Sequence, residues 1–338
     1  MQKWQIKKNL LIFFSDYDYP FKSLALYTTY CAITKTTCII VGNTGSGKSE
    51  ILNFLKTNFD KVLTLNTVSQ ASLKQIATEL NNFDGILFVD DIGAINTEYM
   101  RVTTMATLTY LAYQHYLRRL DYQTNLEIKN FNASLIINLQ PSVFDEIVNN
   151  TSFEANIMDK SYRYYNMRIA SNKPFQHPRI KELQHIKDKF ENMKVDIDKH
   201  KVETLADNFM TFNSVARRFK IVNNFVKLTA ILNNHKTATS EDYQFVAKML
   251  LNNIIESELL ERKGFSSRFK FNVFLFNVML MSKYYGNMFH YSKLKTYLNV
   301  STKTIYNYAK MNNVKIDNGY IIYDNERILK VLKHVIWI

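Results

Sequence analysis

Eight consecutive residues, Gly42-Asn43-Thr44-Gly45-Ser46-Gly47-Lys48-Ser49, constrain this chain more tightly than any other part of it. Gly42, Gly45 and Gly47 let backbone N–H groups turn inward, making a concavity for phosphate oxygens. The apolar run Thr36-Thr37-Cys38-Ile39-Ile40-Val41 precedes them and reads as a strand buried on both faces of a parallel sheet. A helix is predicted from near Lys48, with Ile51, Leu55 and Phe59 on one side, so that its positive N-terminal end adds to the cradle. Strand, loop and helix in this order is the context a phosphate-binding loop requires. Lys48 then stands to neutralise β- and γ-phosphates, and the Ser49 hydroxyl to ligate a magnesium ion bridging them.

A second apolar run, Gly85 to Val89, ends in two carboxylates, Asp90 and Asp91. In open α/β sheets, ligands bind at the C-terminal ends of strands. Asp90 is expected to reach magnesium, usually through water, and Asp91 to polarise the attacking water of a phosphoryl transfer. The plainer alternative for Asp91 is a cap on the following turn.

The pair GNTGSGKS and ILFVDD resembles the AAA+ branch of P-loop ATPases. The resemblance implies an α/β fold: a P-loop parallel sheet with helices on both faces, then a helical lid and a C-terminal winged helix, with ATP and Mg2+ as cofactors. It also implies further site residues. In ASLIINLQP, residues 133–141, a third strand ends at Asn138, where the family places a polar sensor of the γ-phosphate or the water; Gln140 is the near alternative. MDKSYRYYNMR, residues 158–168, resembles the segment whose arginine reaches into a neighbouring subunit's site, with Arg163 the first choice and Lys160 and Arg168 behind it. Such a residue implies an ATP-dependent homo-oligomer, a hexamer among the sizes. Asp rather than Glu at position 91 departs from the commonest family pattern and is shared with helicase loaders and transposition helper ATPases.

Residues 201–262 read as all-helical, with Val215, Phe219, Val222, Phe225, Val226 and Leu228 spaced by threes and fours. Thr239 or Ser240 is placed to cap the helix that begins at Glu241 and Asp242. This stretch resembles the lid of AAA+ replication proteins, whose opening arginine touches the γ-phosphate across subunits; Arg217 and Arg218 both match its position. HYSKLKTYLNV and STKTIYNYAKMNN follow as two helices, then two short β runs hinged at Asn318-Gly319. Helix, turn, helix and hairpin spell a winged helix. Its second helix would enter a major groove with Lys303, Tyr306, Asn307 and Lys310, while Ser292, Lys293 and Lys295 flank the backbone. Docking of a protein is the alternative use of such a module.

Composition narrows the partner. Forty-three Lys and Arg against 30 Asp and Glu give a net charge of +13, which favours a polyanion, double-stranded DNA first. A base-biased genome is the other source of such a charge. Cys31 and Cys38 are too few for a disulfide framework or zinc site and are expected to pack as small apolar residues. No apolar run spans a bilayer and the start lacks a secretion signal, so no membrane is expected and the location is read as cytoplasmic, the host's cytoplasm if the source is a virus. Four segments are expected: an N-terminal elaboration (1–35), whose tyrosines read as core filler, the AAA+ core (36–195), the lid (196–262) and the winged helix (263–338).

The favoured function is an AAA+ ATPase of DNA replication, resembling archaeal origin-recognition initiators and minichromosome maintenance helicases. ATP would assemble subunits on DNA and hydrolysis would remodel or move them. A transposition helper ATPase is the second reading. A slow-turnover, nucleotide-gated regulatory switch comes last, because no sensing repeats follow the winged helix before Ile338.

Overall fold

A computed structural model describes residues 21–66, 70–95, 97–121, 124–169, 177–180, 182–264 and 266–334. The apolar stretch near the N-terminus, Leu10 to Phe14, lies outside the described residues. In chain order the elements begin with α1 (Lys22–Ile33), β1 (Thr37–Val41), α2 (Glu50–Asn58), β2 (Val62–Leu65), α3 (Gln70–Gln75), α4 (Ala77–Leu80) and β3 (Ile86–Val89). Next come α5 (Glu98–Gln114), the hairpin of β4 (Leu117–Asp121) and β5 (Thr124–Ile128), β6 (Ser134–Leu139), α6 (Pro141–Val148), α7 (Phe153–Asn156) and β7 (Ser161–Tyr165). The helices α8 (Leu183–Asn192), α9 (Lys199–Phe209), α10 (Val215–Leu232), α11 (Ser240–Leu250) and α12 (Asn252–Leu259) follow without a strand between them.

Five strands form one all-parallel sheet in the order β2-β3-β6-β1-β7. Because side chains alternate across a strand, each apolar run serves two cores. Cys38, Ile40, Ile86, Phe88, Ile136, Tyr162 and Tyr164 share a core with α1 and the helices α8–α11. Ile39, Val41, Leu87, Val89, Leu135, Ile137, Leu139 and Tyr165 face the other way, into a core that includes Met105 and Leu108 of α5 and Phe144 of α6. That second core runs on without a break to Leu332. Burial of both faces is why these strands read as continuous rather than alternating apolar runs.

Helix α1 is almost wholly buried, with the Tyr27 hydroxyl donating to the Met249 carbonyl and the Tyr30 hydroxyl 3.0 Å from that of Thr229. Its tyrosines are core residues, as the sequence suggested, and both cysteines are buried free thiols. The α11 cap resolves to Thr239, in a capping box with Asp242.

The remaining elements are a small hairpin, β8 (Leu260–Arg262) with β9 (Phe269–Phe271), then α13 (Val273–Tyr285), β10 (Met288–His290), α14 (Tyr291–Leu298), α15 (Thr302–Met311), β11 (Lys315–Asp317), β12 (Tyr320–Ile322) and α16 (Glu326–His334). The hairpin of β11 and β12 turns where Asn-Gly predicted it, with positive φ at Asn318 (45°) and Gly319 (81°), and β10 adds a third antiparallel strand in the order β10-β12-β11. No helix among the described residues is long and apolar enough to cross a membrane.

Edge strand β7 is held by a polar cluster. The Arg163 guanidinium, 0% exposed, forks onto the Glu256 carboxylate through Nε and Nη2. Its Nη1 donates to the carbonyls of Met158 and Ser161, and Nη2 also donates to Asn213 Oδ1 at 2.9 Å. All five guanidinium donors are thereby used. The Tyr165 hydroxyl donates to Glu256 as well, at 2.8 Å. Asn252 then blunts the open edge, accepting from the Tyr165 N–H at 2.9 Å and donating to its carbonyl at 3.2 Å, as a neighbouring strand would.

Removing either partner leaves a buried charge uncompensated. Arg163→Ala or Glu256→Ala is expected to lower the unfolding free energy by roughly 3–5 kcal/mol, read by denaturant unfolding, and Arg163→Lys to recover little because an ammonium cannot fork.

Candidate functional site

The phosphate-type loop leaves β1 at Gly42 and reaches α2, which begins at Glu50, two residues beyond the expected start. Gly45 and Gly47 take positive φ (73° and 86°), the conformation their lack of Cβ permits. A Cβ on Gly47 would fall 1.8 Å from the Phe21 ring, so glycine there is needed for space as well as for backbone. Ser46 is buried, and Asn166 Nδ2 donates to its carbonyl and hydroxyl at 3.1 and 3.2 Å. Asn166 follows β7, so the strand beside β1 braces the loop.

Lys48 Nζ donates to the carbonyls of Gly42 (2.5 Å) and Asn43 (2.8 Å), holding the loop closed upon itself. Burial lowers its pKa to about 8, against the opposing pull of the Asp90 and Asp91 carboxylates. Placing β6 between β1 and β3 brings Asn138 up between the loop and Asp90. Asp90 Oδ1 accepts from Ser49 Oγ and from Asn138 Nδ2, both at 2.9 Å. One carboxylate oxygen therefore joins residues from three segments far apart in sequence. Asn138 Oδ1 is buried and has no hydrogen-bond partner among the described residues. An unpaired acceptor in such a place is costly unless a ligand or water donates to it.

These side chains line a cleft of about 580 Å³, with Thr44, Gly45, Glu50, Gln140, Phe21 and Arg168 on its walls. Its size suits a small ligand. Asp91 lies in it, beside Gly93, where a Cβ would sit 2.9 Å from the Asp91 carboxylate. Ser49 and Asp90 are an oxygen pair of the kind magnesium takes when phosphates supply its other ligands. Arg168, expected only as a weak candidate for contact with another subunit, instead faces this chain's own cleft, with its guanidinium 4.0 Å from the Phe21 ring centroid.

One sequence expectation is overturned. Arg163 has no donor left for a ligand and no surface to show a neighbour, so it is a structural anchor and its reading as a finger in trans is corrected. The run Ser-Tyr-Arg-Tyr-Tyr that carries it is a buried strand. Arg217 and Arg218, expected to reach a neighbouring subunit's γ-phosphate, do not line this chain's own cleft: Arg217 pairs with Asp159 and lies over the Tyr113 ring, and Arg218 pairs with Asp207. Arg217 shares a pocket with Lys160, Lys220 and residues 34–37, which open β1, whereas the loop closes it. A strand of five residues, roughly 16 Å, separates the two ends. Lys160 and Arg217 therefore face away from this chain's own cleft.

The sequence reading missed Asn166, Phe21 and the fixing of the loop tip from below. Asn43 Nδ2 donates to Asn277 Oδ1 of α13 at 2.7 Å, tying the loop to the C-terminal segment. Asn166 carried a usable signal, since it ends a strand as Asn138 does; the other two depend on tertiary placement.

In the C-terminal segment Lys303, Tyr306, Asn307 and Lys310 are all exposed on α15, and Ser292, Lys293 and Lys295 on α14. Residues 263–338 hold twelve Lys and Arg against three Asp and Glu, so this segment carries most of the chain's positive excess. Neither a family model nor a curated protein sequence matches this chain.

The lowered Lys48 pKa has a sign that can be checked. Below about pH 8 the ammonium is already charged; above it, a phosphate ligand must drive uptake of a proton. The affinity of a phosphate ligand held by Lys48 should fall as pH rises through 8, approaching tenfold per pH unit, with proton uptake seen by calorimetry in buffers of different ionisation enthalpy. Lys48→Arg should flatten the profile.

Proposed function

We propose that this chain is an AAA+ type P-loop ATPase that binds Mg-ATP in the cleft at the end of β1 and acts on DNA through its C-terminal segment, in replication initiation or helicase action. The observation that carries the reading is the convergence of Ser49, Asp90 and Asn138, with one buried acceptor left unpaired, beside a glycine loop whose backbone is shaped for phosphates. Residues 273–322, with three helices and a three-stranded antiparallel sheet, support a winged helix.

Loop amides and Lys48 would hold the β- and γ-phosphates, and Arg168 adds a second cation at the cleft wall. Ser49 and Asp90 would hold magnesium, which supplies charge neutralisation across the phosphates when bound. Asn138 Oδ1 accepts a hydrogen bond from the attacking water, and Asp91 takes its proton. The water oxygen bonds to the γ-phosphorus as the bond to the bridging oxygen breaks, and ADP and phosphate leave. With Arg163 buried, Lys160 and Arg217 are the cations a neighbouring subunit could receive, which fits a homo-oligomer assembled by ATP. A nucleotide-gated switch, last in order on the sequence alone, is the alternative that the direct bond from the loop tip to α13 favours.

Lys48→Ala should abolish ATP binding. Asp91→Asn should retain binding and lose turnover by ~10²–10⁴-fold, measured by steady-state hydrolysis with and without DNA; normal hydrolysis by that variant sinks the base assignment. Mass in solution with ATP tests assembly: Lys160→Ala should leave ATP binding intact and reduce turnover only in the oligomer.

A further inference from the structure

Across the C-terminal segment runs a row of four aromatic rings that its packing leaves at the surface. It starts at Tyr306 on α15, passes Tyr291 at the head of α14 and His290 at the end of β10, and ends at Tyr320 on β12. Successive ring centroids are 6.0, 4.6 and 5.4 Å apart. The end rings, Tyr306 and Tyr320, are 43% and 44% exposed, and the two between are half-buried. The rings tilt by 62°, 32° and 78° to one another, so each offers a separate face or edge rather than one continuous stack.

Lysines surround the row. Lys303 and Lys310 lie three before and four after Tyr306, on the same side of α15. Lys293 and Lys295 follow Tyr291, and Lys315 opens the hairpin that carries Tyr320. Among the described residues, Lys303, Lys310, Lys295 and Lys315 make no ion pair, and all are exposed. The hairpin has one carboxylate, Asp317, across the ladder from Tyr320.

A lysine-rich surface alone would take any duplex through its phosphates. Aromatic rings add something that a duplex cannot use, because its base faces are covered by its own stacking. The ring spacing also exceeds the ~3.4 Å rise of stacked bases, which suits a stretched strand. We propose that this row is a binding surface for single-stranded DNA, the rings receiving unstacked bases while the lysines follow the phosphates. The inference rests on the reading of the C-terminal segment as the part that meets DNA and makes its substrate an opened strand rather than a closed duplex.

The test is fluorescence anisotropy of the full chain with a mixed-sequence single strand, the duplex made from it and the same strand as RNA. Single-stranded DNA should bind best. Tyr306→Ala and Tyr320→Ala should each weaken it by about fivefold to a hundredfold, Tyr320→Ala should leave duplex affinity unchanged, Tyr306→Phe should bind as the parent does, and Lys303→Ala should lower the salt slope for both forms. Equal losses on single strand and duplex for Tyr320→Ala, or no loss on the single strand for either variant, would overturn the proposal. Tighter binding of RNA would also overturn it. Duplex binding without single-strand binding would remove this inference and leave the DNA reading standing, whereas binding of neither would remove both.

Discussion

The Arg163 guanidinium is the point on which the arrangement of this molecule depends. Through its five donors it joins β7 of the sheet, the turn at Met158 that leads into that strand, Asn213 just before α10, and Glu256 of α12, the helix that leads toward the C-terminal segment. Apolar packing alone would let these elements slide, since it is proportional to area and indifferent to direction. A forked ion pair fixes angle as well as distance. Its desolvation is expensive, so such a pair contributes more to which packing forms than to how stable it is.

From that anchor the structure runs directly to the cleft. One end of β7 is fixed by Arg163; the other releases Asn166, which braces Ser46 of the loop, and Met167, whose carbonyl accepts from Lys283 Nζ of α13 at 2.6 Å. Burial, assisted by the nearby Arg168 charge, lowers the pKa of Lys283 to about 8, so this contact carries a cation that the surroundings barely tolerate. Asn43 meets the same helix at Asn277. The loop and α13 are thus joined twice, once at the loop tip and once through the chain leaving β7. Anything that rearranges the loop around a ligand must change contacts on a helix four residues removed from the aromatic row.

Much of the site was legible because its chemistry is local. A glycine loop between a strand and a helix, and carboxylates ending a second strand, are signals that a few adjacent residues carry whole. The Asn-Gly hairpin and the Thr239 cap are of the same kind. Arg163 was not legible, because a basic residue among tyrosines has the composition of an exposed turn, and its partner Glu256 lies 93 positions away. Asn252 and Glu256 stand at i and i+4 of one helix and so share a face, but Asn253, Ser257 and Glu258 around them hide the pair among other polar residues. Arg217 and Arg218 were placed by resemblance to a pattern, and only the direction of β1 shows that they stand at its other end. The aromatic row was hidden for a different reason: Tyr291, Tyr306 and Tyr320 are spread over thirty residues and meet only because the hairpin folds back onto two helices.

The distribution of charge separates the two ends of the molecule while one core joins them. The excess of lysine and arginine gathers beyond residue 262, yet Phe276, Val278, Phe289, Leu294 and Ile305 of that segment belong to the same buried cluster as Val41 and Leu139, which end the strands at the cleft. A flexible tether would leave nucleotide and nucleic acid free to bind without influence on each other. A shared, close-packed core transmits strain instead of absorbing it. On the proposed function, the inward face of α13 is where occupancy at one end would meet occupancy at the other, and the pair Asn43–Asn277 is a direct polar contact between the two.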